Sequence, residues 1–389
     1  MKVAIVVNEI NIRGGTHKQV LRLCEYLESQ RIPFKLFTRY LQLDKTYPEF
    51  SRFETEYISN EPIQRLSNKG IASKIKSRVQ LYKEEKRLFS KISKDFDIIN
   101  IHDNGIPNII WWATKRKKTR VIWQINDLPG CFNVGVSSNE DDNLKKKVRR
   151  CLFRILAHSV DLITVNVTKN KLQIRNNMGI DAEVLYCGVD SNKELIKHSY
   201  SKKETFNLLS SGVFYPYRNY EALVEAVSLV REKGRSINLK IIGSTEHCIE
   251  YAEKIRHMIR DKHLSDCIII CGQVDENKYN ELHNNADAFI FINVNQSWGL
   301  AVFEAMSCGL PVIVSDSVGA TELLDNNTDA VFVDPFNSKQ IASEIIKLMD
   351  DVEHYNYISQ NAFTKANNMT WDNMYCTKLI KLFNQLLEN

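Results

Sequence analysis

The chain is 389 residues long, too long for one ordinary hydrophobic core, so two domains are expected. Its 43% hydrophobic and 25% charged residues, with a net charge of +5, are the balance of a soluble globular protein. No apolar run approaches the roughly 20 residues of a membrane span, and nine cysteines, an odd count without framework spacing, argue against a disulfide scaffold and read as reduced, mostly core thiols of a cytosolic protein.

The opening Met1-Lys-Val-Ala-Ile-Val-Val is too short and too quickly polar for a signal peptide. It reads instead as a buried strand over residues 2–7, followed by a helix over 18–27. Further strands are expected at 33–37, 97–101, 120–125 and 161–165, with a helix at 72–92. Residues 40–69 carry aromatics and charge without periodicity and read as a long irregular connection. These strands lack polar alternation, as strands in a parallel sheet covered on both faces do.

Basic residues concentrate in this half. They fall at Lys74–Arg87, at Arg116-Lys-Lys-Thr-Arg120 and at Lys145-Lys-Lys-Val-Arg-Arg150. Such clusters are either solvated helix faces or contacts to an anionic membrane surface or phosphorylated acceptor. Nucleic acid is disfavoured, because no interleaved aromatic platform accompanies the charge.

The second half repeats the arrangement. Strands are expected at 207–210, 238–242, 267–271, 288–292, 311–315 and 330–333, with helices at 220–233 and 278–284. The domain boundary is placed after Asp190, giving an N-terminal domain 1–190 and a C-terminal domain 191–370. The last stretch, 371–389, is expected to pack back on the first domain. Two doubly wound Rossmann-like domains with a crevice between them follow.

The most informative stretch runs from Ala288 to Asp316. It reads as a buried strand, a polar loop with Gln296, a helix starting near Trp298, a glycine stop at Gly309 and a strand opened by Pro311. A helix start aimed into a sheet's ligand crevice offers unpaired N–H groups and a positive dipole end, which suit phosphate. No group of His and Cys has the spacing of a metal site.

Taken together, the pieces resemble the retaining GT-B glycosyltransferases of family four. The resemblance is carried by the opening strand, Arg13-Gly-Gly-Thr16, Asp97-Ile-Ile-Asn-Ile-His102, Val121-Ile-Trp-Gln-Ile-Asn-Asp-Leu-Pro129, Leu185-Tyr-Cys-Gly-Val-Asp190 and Gly212-Val-Phe-Tyr-Pro-Tyr-Arg-Asn219. Its most specific member is Gly299-Leu-Ala-Val-Phe-Glu-Ala-Met-Ser-Cys-Gly-Leu-Pro311.

The resemblance implies a metal-independent hexosyltransferase without cofactor, acting on a nucleotide-sugar donor and a glycan, lipid-linked or other hydroxyl acceptor. In it, Glu304 matches the acid that grips ribose hydroxyls. Arg218 matches the basic residue for the diphosphate, while the preceding family Arg is Val213 here. Gln296 stands where relatives carry a first acid toward the sugar, and Asn126 where many carry a His. Glu304, Arg218, Gln296 and Asn126 are thus the expected catalytic set. Gly14, Gly15, Gln273, Val274, Ser297, Trp298, Gly299, Leu300 and Ala301 complete the expected nucleotide-sugar site. His102 reads as a structural histidine at a strand end, Asp103 and Asp127 as loop carboxylates, and Glu322 as a structural helix-start residue. The expected location is cytoplasmic, with peripheral contact at the membrane's inner face. Two rival readings remain: a non-catalytic sugar-nucleotide-binding protein of the same fold, and an epimerase or sugar-nucleotide hydrolase.

Overall fold

The computed structural model describes residues 1–61, 71–102, 104–132, 144–190, 200–294 and 296–388. The chain divides into two compact units. Unit 1 is Met1–Cys187 with Asp372–Asn389, and unit 2 is Gly188–Trp371.

Unit 1 alternates strands and helices in the order β1 (Val3–Ile10), α1 (Gly15–Ser29), β2 (Phe34–Leu41), β3 (Thr55–Ser59), α2 (Ile71–Lys91) and β4 (Ile98–His102). It continues with α3 (Pro107–Ala113), β5 (Arg120–Ile125), α4 (Leu144–Ser159), β6 (Leu162–Val165), α5 (Thr168–Met178) and β7 (Glu183–Val184). The strands form one sheet in the order β3-β2-β1-β4-β5-β6-β7. Every pairing in it is parallel.

Unit 2 follows the same plan with β8 (Thr205–Ser211), α6 (Tyr220–Glu232), β9 (Ser236–Ile242), α7 (Ile249–Asp261), β10 (Ile268–Gly272) and α8 (Glu276–Asn285). Then come β11 (Ala288–Phe291), α9 (Leu300–Ser307), β12 (Val312–Ser315), β13 (Val331–Val333), α10 (Ser338–Asp350) and α11 (Val352–Asn368). Its parallel sheet has the order β10-β9-β8-β11-β12-β13. The last helix, α12 (Thr377–Glu388), belongs to unit 1, where Tyr26 of α1 meets Thr377 at 3.1 Å.

Both strand orders reverse beside the first strand of their unit, at β1/β4 and at β8/β11. Right-handed crossovers then place helices on both faces of each sheet. Because both faces are covered, the central strands are apolar throughout: β4, β11 and β12 are buried at every position. Trp123 of β5 is fully buried and stacks on Phe153 of α4. The nine cysteines are all free thiols. No helix among the described residues is long and apolar enough to cross a membrane.

Three expectations need correction. The stretch 40–69 is not irregular throughout: β2 runs on to Leu41, a 3-10 turn covers Pro48–Arg52, and β3 pairs with β2 as the sheet edge. An edge strand with a half-exposed burial pattern lacks the apolar run by which the other strands were found. The helix expected near Trp298 begins two residues later, because Gly299 adopts a left-handed backbone, φ +108°, that no right-handed helix contains. Pro311 lies just outside β12, where its carbonyl still accepts a hydrogen bond from the Phe289 N–H at 3.0 Å. Residues 62–69, Asp103 and Asn295 lie outside the described residues.

Candidate active site

In an open parallel sheet the crevice for a ligand lies beyond the carboxyl ends of the strands where the order reverses. In unit 2 those strands are β8 and β11, and the residues following them are the ones singled out in the sequence. After β8, Gly212 is followed by a 3-10 turn, Pro216–Arg218, that ends on Arg218. A Cβ on Gly212 would stand 2.4 Å from the Arg218 Cζ, so this position has room only for hydrogen while the guanidinium stays in place.

Arg218 is half-buried, and its Nε donates to the Val213 carbonyl at 3.3 Å. Its guanidinium also faces the rings of Tyr217 and Phe291, with Cζ 5.2 and 5.6 Å from their centroids. Among the described residues no carboxylate pairs with it. A partly desolvated guanidinium without a described carboxylate partner suits an anion chemically, and its planar fork matches the geometry of a phosphate.

The loop after β11 closes against this turn, since the Val294 N–H donates to the Tyr217 carbonyl at 2.7 Å. Gln296 accepts from Asn293 Nδ2 at 2.6 Å through its side chain, and from the Gly319 N–H at 3.0 Å through its carbonyl. The Trp298 carbonyl accepts from the Ala320 N–H at 2.9 Å, and the indole stacks on Phe303, 4.9 Å between centroids. Gly299 caps α9. A Cβ there would meet Val318 Cγ1 at 3.0 Å and Phe291 Cε1 at 3.3 Å. Phe291 therefore lies near both the start of α9 and the Arg218 guanidinium. The N–H groups of the first turn, including Leu300 and Ala301, have no acceptor within the helix and carry its positive end.

Glu304 lies one turn further along α9 and is half-buried. Its Oε2 accepts a hydrogen bond from the Tyr279 hydroxyl at 2.9 Å. The Tyr279 ring in turn lies against His283, centroids 4.2 Å apart, and the Tyr279 carbonyl accepts from His283 Nδ1 at 2.9 Å. Burial holds the His283 pKa below the ordinary imidazole value, against the opposing pull of that bond and of Glu304. Gln273 and Val274 follow β10 directly, Gln273 exposed and Val274 half-buried. Glu322 lies in the 3-10 turn Gly319–Leu323.

In unit 1 the ends of β1 and β5 carry a cluster of amides and hydroxyls. Gly14 caps α1 and Gly15 opens it, and nothing in the fold crowds a Cβ at Gly15. Asn126, just past β5, is held on both sides of its amide. Its Oδ1 accepts from Gln124 Nε2 at 2.9 Å, and its Nδ2 reaches Thr16 Oγ1 at 3.1 Å and Gln19 Oε1 at 2.8 Å. Thr164 donates to Gln124 Oε1 at 2.6 Å, and Asn170 donates to the Asn126 carbonyl at 2.7 Å. His102 is fully buried, with Asn100 Nδ2 3.1 Å from its Nε2, and burial pulls its pKa down to about 3. It is a neutral structural histidine at ordinary pH. Asp127 is exposed, and its carbonyl accepts from Asn104 Nδ2.

Unit 2 thus brings Arg218, Gln296, Ser297, Trp298, Gly299, Leu300, Ala301 and Glu304 to one region. Asn126, Gly14 and Gly15 belong to unit 1. Sequence reasoning missed Tyr279, Phe291 and Asn293, and the amides that fix Asn126. No motif marks Tyr279; only its place within a helix that follows a strand end could have suggested it. Among the described residues no group of three or more His, Cys, Asp or Glu side chains could hold a metal ion.

Residues 191–365 match the family described as Glycosyl transferases group 1, and residues 13–193 match Glycosyltransferase Family 4. Among curated relatives, the O-antigen chain mannosyltransferase RfbU of Salmonella typhimurium is 27% identical over 234 residues, covering 58% of this chain and 60% of that protein. The matched stretches span 60%, 42% and 58% of the first three such relatives, so this chain covers less than two thirds of each. Sucrose-phosphate synthase from Thermosynechococcus elongatus superposes with a TM-score of 0.79 at 17% identity, covering 100% of this chain and 99% of the other. Anabaena Alr3699/HepE, solved in complex with UDP and glucose, superposes with a TM-score of 0.75 at 15% identity, covering 99% and 100%. These likenesses show the GT-B fold.

Proposed function

This chain belongs to the group 1 glycosyl transferases of Glycosyltransferase Family 4, and from that premise we propose that it moves a sugar from a nucleotide-sugar donor to an acceptor hydroxyl with retention at the anomeric carbon. The observation that carries the reading is the Arg218 guanidinium, unpaired with any described carboxylate, beside the same Phe291 ring that the start of α9 contacts.

That pair of positive groups suits a nucleoside diphosphate, and it acts hardest as charge builds on the departing phosphate. Glu304, oriented by Tyr279, is placed to accept from the two hydroxyls of a ribose. Gln296 contributes an amide toward the sugar. With protein donors on the diphosphate, no metal cofactor is required. The departing phosphate itself takes the acceptor's proton on the same face of the sugar, which accounts for a reaction without a dedicated carboxylate base. A structure of HepE with UDP-glucose supports a nucleotide sugar as the donor class.

Unit 1 takes the acceptor. A cell-envelope glycan or lipid-linked hydroxyl is the class that fits relatives such as RfbU and the capsular polysaccharide glycosyltransferase CapM of Staphylococcus aureus. The basic clusters of unit 1 support peripheral work at the inner face of a membrane.

The test is a binding and turnover screen of pure protein against UDP-, GDP- and ADP-sugars, with free nucleotide followed by mass spectrometry. Selective binding of one nucleotide with slow donor hydrolysis is expected, and Arg218→Ala and Glu304→Ala should each weaken it. Full donor affinity and turnover in both variants would refute the assignment. Binding without turnover across donor and acceptor panels would favour a non-catalytic protein, the reading that the amide at Gln296 motivates. Rapid conversion of donor without acceptor, at a rate that no acceptor in the panel raises, would favour an epimerase or hydrolase.

A further inference from the structure

Helix α4 has two apolar faces, and only one is buried. Phe153, Leu156 and Ala157 pack into unit 1. On the opposite side, Leu144, Val148, Leu152 and Ile155 follow an i, i+4, i+8, i+11 spacing and stand 77%, 60%, 42% and 49% exposed. At about 100° per residue this spacing makes one continuous outward stripe. Monomeric helices do not ordinarily present such a stripe to water.

Its flanks are cationic. Every charged side chain along α4 other than its histidine is Lys or Arg, and the exposed Lys145, Lys147 and Arg149 form no ion pair among the described residues. Two neighbouring helices also expose apolar side chains beside cations. α2, α3 and α4 connect strands that step in the same direction along the sheet, so right-handed crossovers place all three on one face. α3 packs against both of its neighbours. On α2, Ile75, Val79 and Tyr82 are exposed at i, i+4, i+7, beside the exposed cations Lys76, Arg78, Lys83, Lys86 and Arg87. On α3, Trp111 is exposed, with the Lys115 ammonium 3.6 Å above its ring.

We propose that the outer faces of α2, α3 and α4 form a docking ridge that seats unit 1 on an anionic lipid bilayer. Apolar side chains enter the boundary between headgroups and acyl chains, while flanking Lys and Arg stay with the lipid phosphates. The interleaving selects lipid over a protein partner: cations on both sides of an apolar stripe meet a planar negative surface all at once. An indole at the rim fits the same depth. The ridge deepens the peripheral-membrane part of the proposed function, and it makes no use of Arg218, Glu304 or the donor.

The experiment is cosedimentation of the whole protein with phosphatidylcholine vesicles, with and without phosphatidylglycerol, at low and high salt. Wild type should bind only the anionic vesicles, and salt should release it. The triple variants Val148→Ser/Leu152→Ser/Ile155→Ser and Lys145→Glu/Lys147→Glu/Arg149→Glu should each lower binding at least about tenfold. Circular dichroism and nucleotide binding, unchanged in both variants, would certify the fold. Wild type that stays off anionic vesicles would overturn the proposal, as would vesicle binding untouched by either variant. Self-association in sedimentation velocity that the apolar variant abolishes, without vesicle binding, would also overturn it and assign the stripe to a second copy. None of these failures bears on glycosyl transfer, because vesicle binding needs no donor.

Discussion

Units 1 and 2 run the same doubly wound plan, yet they furnish the equivalent edge of the sheet differently. Beyond β1 and β5, unit 1 sets amides and hydroxyls that bond to one another: Gln124, Asn126, Thr16, Gln19 and Thr164 form a chain of neutral hydrogen bonds. Beyond β8 and β11, unit 2 sets a guanidinium and a carboxylate, the first without a described counter-ion and the second accepting a hydrogen bond from Tyr279. A neutral network of this kind fixes the side chains it joins. An unneutralised charge kept partly out of water is costly in the free protein and becomes favourable only when a ligand of opposite charge arrives. The contrast favours the proposal that unit 2 recognises the anionic donor while the amides at the unit 1 edge serve as scaffold.

Two substitutions separate these roles. Arg218→Ala is expected to lower kcat/KM by roughly 10²–10³, about 3–4 kcal/mol, as loss of a positioned donor to a developing oxyanion does. Its thermal midpoint should stay near wild type, because no described ion pair is broken. Asn126→Ala should do the reverse. Leaving Gln124 Nε2 and the acceptors on Thr16 and Gln19 without their partner costs about 1–3 kcal/mol. The midpoint should then fall by about 2–4 °C per kcal/mol, with nucleotide affinity unchanged. Equal effects of both variants on both readouts would erase the contrast. Steady-state kinetics, calorimetric nucleotide titration and thermal scans decide it.

The buried histidine of unit 1 has a pH signature. His102 is held at a pKa of about 3 by burial, below its unfolded value near 6.5. Between those values the unfolded chain binds the proton that the folded chain refuses. Stability is therefore full above about pH 6.5 and falls as pH drops through this window, by about 1 kcal/mol from pH 7 to 5.5. Urea unfolding at the two pH values should show this loss in wild type and a smaller one in His102→Gln.

The smallest effect is expected at Tyr279→Phe. Removing one hydroxyl from Glu304 costs about 0.5–1.5 kcal/mol, seen as a rise of a few-fold in the donor KM. An unchanged KM would show that Glu304 needs no such support.

How much of this could be read from the chain varies by region. The apolar strands were legible because burial on both faces leaves no polar alternation: residues 120–125 were expected as a strand and are β5. The polar edge strand β3 was not, since none of its positions is fully buried. The importance of Gly299 and Gly212 was legible from their motifs. The reasons were not: a left-handed φ at one, and the Arg218 guanidinium lying against the other, are facts of geometry. The basic clusters were visible in sequence, but the apolar stripe between them was not. Periodicity marks an apolar residue without saying which face the fold buries, and α4 offers two.

The sequence by itself determined the alternation of strand and helix, the two-domain plan and the family, because these rest on hydrophobic periodicity and on short motifs whose spacing survives in one dimension. Tertiary structure alone decided that Tyr279 meets Glu304, that Phe291 lies near both Arg218 and the start of α9, and that Asn126 bonds through its amide to Gln124, Thr16 and Gln19. Each of those contacts joins residues from different elements, and only packing fixes which side chains come within hydrogen-bonding or van der Waals reach.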